Sequence, residues 1–147
     1  MKKLLILLMI VLYSCSNGHL ENKIDNKIEG TCKSGTCLIN IRELTDFPWD
    51  KMYVFDMSVT YDQMVKVLGV KPTEYTEFTR KLVFMLNHQI TYFEEDKTDI
   101  ETAVNGQLDF DIPYGTNYKC YPIDSAKFNV VTETDGDIKY YILKQVK

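Results

Sequence analysis

The feature that most constrains this fold is a short, fully punctuated helix over residues 60–69. Thr60 is a good N-cap, and Gln63 three residues on completes a capping box. Val59 and Met64 stand at the two positions of a hydrophobic staple. Tyr61, Met64, Val65 and Leu68 follow the i, i+3, i+4, i+7 spacing that lines one face. Gly69 supplies a left-handed C′ residue, and Pro72 blocks any continuation. Two turns of helix are marginal alone in water, so this helix must lie on a sheet. The phrase Phe47-Pro48-Trp49-Asp50-Lys51-Met52-Tyr53-Val54-Phe55 leads into it. Pro48 cannot donate to a ladder, so a strand starts after it. Residues 52–55 are apolar at every position, the pattern of a strand buried on both faces. Trp49, the only tryptophan, is expected in the core.

The remaining chain reads as strands and turns. Residues 37–41 form a short strand candidate. Residues 82–86 and 90–93 make a hairpin around Asn87-His88, because Asn tolerates positive φ. Residues 94–101 are acidic and read as an exposed loop. Gln107-Leu108-Asp109-Phe110-Asp111-Ile112 alternates, which sends Leu108, Phe110 and Ile112 to a core. Residues 127–133 pair with 138–146 across Asp135-Gly136. A chain of 147 residues holds one ordinary domain, and 45% hydrophobic content excludes general disorder. The expected fold is α+β, an antiparallel sheet of five to seven strands with one short helix packed on it.

The N-terminus reads as an export signal. Met1-Lys2-Lys3 is a positive n-region, and residues 4–11 are an unbroken apolar run. That run is far shorter than the ~20 residues needed to span a bilayer. Leu12-Tyr13-Ser14-Cys15 resembles the lipobox of bacterial lipoproteins. The resemblance implies cleavage before Cys15 and acylation of that cysteine, which anchors the chain at about 0.8 kcal/mol per buried CH₂. Ser16 stands where many retained lipoproteins carry aspartate, so the resemblance implies the outer membrane, facing the periplasm, with surface display left open. The expected organisation is a signal peptide over 1–14, the lipidated cysteine and a polar tether over 15–30, and one globular domain over 31–147. Leu20, Ile24 and Ile28 recur at i, i+4, i+8 within that tether, a spacing compatible with a frayed helix.

Chemistry is sparse. Cys32 and Cys37 can close a small loop in an oxidising compartment, leaving Cys120 as the odd thiol, although three connectivities are open. No metal ligands cluster around them, so no metal or other cofactor is expected. The two histidines fall in the tether (His19) and at a turn (His88), which disfavours histidine-based catalysis. Asp109 and Asp111 share one side of a strand, and that side reads as solvated. A formal charge of −4 without a basic stripe excludes nucleic acid as a partner. Tyr114, Asn117, Tyr118 and Tyr121 cluster around one loop, with the composition of a recognition surface, and are the candidate partner contacts.

The 47–55 phrase and the capped helix ending Leu68-Gly69 also resemble a group of small bacterial lipoproteins with no activity to transfer. The strand–helix–hairpin order is loosely similar to small lipoproteins of the outer-membrane barrel-assembly machinery, which place their helices before the sheet. The expected function is a non-enzymatic binding or assembly module of the cell envelope, in its more pointed form an immunity or inhibitor protein. It is held to the bilayer through acylated Cys15 and meets a protein partner there. The alternative is an envelope hydrolase that uses acidic residues.

Overall fold

In the computed structural model, the described residues are 19–32, 37–96 and 104–146. The signal segment, Cys15, and most of the acidic loop after Asp96 lie outside them. The chain is α+β: helices α1 (Leu20–Thr31) and α2 (Tyr61–Leu68), with strands β1 (Cys37–Asn40), β2 (Lys51–Phe55), β3 (Arg80–Leu86), β4 (Gln89–Asp96), β5 (Gln107–Phe110), β6 (Tyr118–Pro122), β7 (Lys127–Asp135) and β8 (Ile138–Gln145). The eight described strands form two four-stranded sheets, ordered β1-β7-β8-β5 and β4-β3-β2-β6, rather than one sheet. Pairing is antiparallel except between β5 and β8, which run parallel.

Side-chain alternation explains why there are two sheets. Met52, Val54, Leu82, Phe84 and Tyr121 of one sheet share a core with Ile39, Leu108, Phe110, Phe128, Val130, Tyr141 and Leu143 of the other. Trp49 closes this core at 5% exposure, edge-on to Phe84 at 5.0 Å, with its Nε1–H donating to Thr45 Oγ1 at 2.8 Å. The opposite face of the β4-β3-β2-β6 sheet carries Phe55, Val83 and Met85. Helix α2 covers that face with Met64 and Leu68. Strand β2 is therefore buried from both sides, as its unbroken apolar run implies.

The local signals are realised in detail. Thr60 Oγ1 accepts from Gln63 N–H at 3.3 Å, and Gln63 Oε1 accepts from Thr60 N–H at 2.9 Å. Gly69 ends α2 at φ +74°, a conformation that costs glycine nothing. Asn87 and His88 both take positive φ, +50° and +64°, and turn β3 into β4 in two residues.

The tether reading is corrected from Leu20 onward. Residues Leu20–Thr31 form a helix whose Leu20, Ile24 and Ile28 are buried in the inter-sheet core. Its N-terminus has no local side-chain cap. Glu94 of β4 caps it instead, accepting from the N–H of Leu20 at 2.7 Å and of Glu21 at 3.3 Å. Tyr92 donates its hydroxyl to the same carboxylate. Glu94 is thus a buried strand residue at 5% exposure, not part of a solvated loop. At the far end of α1, Cys32 is bonded to Cys37 at the head of β1, and Cys120 is a free thiol.

Candidate functional site

Helix α2 is only eight residues long, so it covers part of one sheet face and leaves the rest open. A groove of about 580 Å³ lies between α2 and β6, the edge strand of that sheet. Its floor comes from outward-facing residues of two neighbouring strands. Tyr53 and Phe55 stand on β2, opposite Cys120 and Tyr118 of β6. The rings form a ladder: Tyr53 lies 6.0 Å from Phe55 at 13°, and Phe55 lies 5.7 Å from Tyr118 at 30°. Gln63, Lys66 and Val67 of α2 form one wall, and Asn117 lies at the opening of β6.

The ladder is graded in exposure. Phe55 is fully buried, Tyr53 is half-buried, and Tyr118 is 38% exposed at the rim. Desolvation pushes the Tyr53 phenol up to about 12, with smaller contributions from its hydrogen bond to Cys120 and the nearby Cys120 and Tyr118. The phenol therefore stays protonated near neutral pH and works as a hydrogen-bonding group, not as a base. Among the described residues, Lys66 is the only charged side chain lining the groove. The surface is suited to holding an apolar group against stacked rings while a polar neighbour meets Lys66, Gln63 or Asn117.

The candidate contacts separate. Asn117 and Tyr118 are brought together in the groove. Tyr114 is fully exposed on the preceding loop and lines no part of it. Tyr121 is corrected: it is fully buried, edge-on to Phe128 at 5.0 Å between the sheets, and cannot touch a partner. Strand alternation is the reason. Tyr118 and Cys120 face the groove, so Lys119 and Tyr121 must face the inter-sheet core. Tyr53, Phe55, Cys120 and the α2 residues were not legible as site residues, because no local signal says which outer face a short helix leaves bare.

A second cleft, of about 340 Å³, is acidic. Asp56, Asp96, Asp109 and Asp111 line it together with Arg80. Arg80, almost fully buried, donates to Asp96 at 2.7 Å, Glu21 at 3.0 Å and Asp109 at 3.3 Å. Asp109 belongs to this cluster although its side chain remains 62% exposed, and Asp111 is exposed. Burial raises Glu21 to about 7 against the opposing pull of Arg80. Glu21 does not line the cleft, however. Its carboxyl is engaged with Arg80 and is not presented to a substrate-sized space.

His19 precedes α1, with Nδ1 3.4 Å from Glu94, and His88 is exposed in its turn. Among the described residues, no group of three or more His, Cys, Asp or Glu is arranged to hold a metal ion. No described helix is long and apolar enough to cross a membrane. No family model matches this chain, and neither the curated proteins nor the solved structures contain a match.

Proposed function

We propose that this chain is a cell-envelope lipoprotein, anchored through acylated Cys15, whose globular body is a non-enzymatic binding module of the immunity or inhibitor kind. The groove between α2 and β6 is its contact surface. The observation that carries this reading is the aromatic ladder Tyr53–Phe55–Tyr118, whose buried Phe55 is flanked by half-buried Tyr53 and exposed Tyr118 on a face that α2 leaves open. Tyrosine rings give large contact area with few torsions to freeze, the usual make-up of a binding hot spot. The hydrolase reading has one observation on its side, the raised Glu21 carboxyl, but the engagement of that group with Arg80 favours a structural role.

The test is photo-crosslinking in cells of the natural host. A photoreactive phenylalanine analogue at position 118 should give a discrete protein adduct. The same analogue at position 38, where Leu38 is 58% exposed on the other sheet, should not. Equal labelling from both positions, or none from 118, rules out the groove as the contact surface.

A further inference from the structure

The edge of β6 has a defined hydrogen-bonding phase. Asp56 N–H donates to Asn117 C=O at 2.8 Å, and Ile123 N–H donates to Asp50 C=O at 2.9 Å. Both pairs continue the β2–β6 register, in which Phe55 faces Tyr118 and Lys51 faces Pro122. In an antiparallel ladder, bonded and non-bonded pairs alternate. Residues 117, 119, 121 and 123 therefore point their backbone groups at β2. Tyr118, Cys120 and Pro122 point theirs away from it, toward the free edge. Pro122 fits this phase, because a proline is tolerated where the missing N–H would face outward. Its carbonyl accepts from Ser125 Oγ at 3.0 Å. The N–H and C=O groups of Tyr118 and Cys120 have no hydrogen-bond partner among the described residues.

These four groups border the groove. Directly opposite residues of paired strands send their side chains to the same face. A strand laid along β6 would place two of its side chains, at i and i+2, beside Tyr118 and Cys120 on the groove's face of the sheet. β6 is the outermost strand of its sheet, and its register with β2 runs without a bulge. Among the described residues, the one charge lining the groove is Lys66, on a chain whose formal charge is −4. A guest therefore gains from a carboxylate at that wall.

Resting on the groove reading above, we propose that β6 accepts an extended segment of a partner protein as a fifth strand of its sheet. The segment carries apolar side chains at i and i+2 and a carboxylate that meets Lys66. The backbone of Tyr118 and Cys120 supplies affinity, and the groove supplies selectivity.

The experiment pans a phage library of random octapeptides on the full-length chain in detergent and then measures amide hydrogen exchange with the best peptide. In the free chain, the Tyr118 and Cys120 amides should exchange freely while those of Lys119 and Tyr121 are protected. Bound peptide should slow Tyr118 and Cys120 by roughly tenfold or more, and the selected sequences should share the apolar pair and an acidic position. Cys120→Pro removes one outward N–H without touching the β2 ladder, and should abolish peptide binding with little change in melting. Lys66→Glu, on the surface of α2, should turn the acidic preference into a basic one, whatever happens to the proline variant. Peptides that bind without protecting Tyr118 and Cys120 overturn strand addition while leaving the groove reading intact. Failure to select any peptide, together with no adduct from position 118, removes both. A concentration-dependent dimer that protects these two amides without peptide overturns the proposal in favour of a second copy of the chain.

Discussion

Arg80 gathers Glu21, Asp96 and Asp109 around one buried guanidinium, so charge balance there controls the stability of several elements at once. The Glu21 carboxyl is raised in the folded chain, to about 7, chiefly by desolvation. A raised acid means that the folded state binds the proton more tightly than the unfolded state. Its contribution to stability is complete below the ordinary carboxylate range and is lost as pH rises toward 7, by on the order of 3 kcal/mol at most. Urea unfolding at pH 5 and pH 8 should therefore give a lower stability at pH 8. Glu21→Gln should remove much of that difference, and an unchanged difference means another group controls it. Arg80→Ala leaves buried carboxylates without their cation and should cost about 3–5 kcal/mol. Trp49→Ala empties a well-packed core site and should cost a similar ~3–5 kcal/mol, seen as a large fall in melting temperature. Lys81 presents the opposite case. Its ammonium is fully buried, donates to Thr79 O at 2.6 Å, and is pushed below its usual range by desolvation. Lys81→Met replaces a desolvated cation with an apolar side chain, and its melting temperature should be no lower than wild type.

Helix α2 and helix α1 show why some elements are legible and others are not. Every determinant of α2 lies within a dozen residues: Thr60, Gln63, the staple pair and Gly69. The helix could be read because its cap is local. The apolar spacing of α1 was equally visible, yet its start is fixed by Glu94, 74 residues from Leu20 in sequence. A cap supplied across the fold leaves no mark near the helix it caps. The same holds for β5. Its alternation marked Leu108 and Phe110 as core, but its parallel partner β8 lies more than 30 residues on, so the second sheet could not be drawn. In β6, composition pointed to the tyrosines, whereas the direction of each ring depends on the ladder phase with β2. For that reason alone Tyr118 lines the groove while Tyr121 is buried. The element-scale prediction follows from the remote cap. Glu94→Ala leaves the Glu21 N–H without its acceptor and the Leu20 N–H with only the Tyr92 hydroxyl at 3.3 Å, and should cost about 1–3 kcal/mol, with faster amide exchange confined to the first turn of α1. Uniform acceleration across both sheets means that Glu94 supports more than the cap.

At the scale of the whole molecule, the inter-sheet core and the core under α2 are separate, and the groove sits beside the smaller one. A ligand there need not disturb the larger core. If Cys15 carries the acyl chains, Cys15→Ala should move the protein from the membrane fraction to the soluble fraction or leave it unprocessed; unchanged association and maturation sink the anchor. The packing of α1 sets the geometry of that anchor. Helix α1 starts at Leu20, only residues 16–19 lie between it and Cys15, and a fully extended chain spans no more than about 18 Å from Cys15 to Leu20. An acyl anchor at Cys15 would moor the protein on a short line rather than a long one. It would then sweep a thin layer above the lipid headgroups, oriented by the end of the body where α1 begins, and any partner would have to enter that layer to be caught.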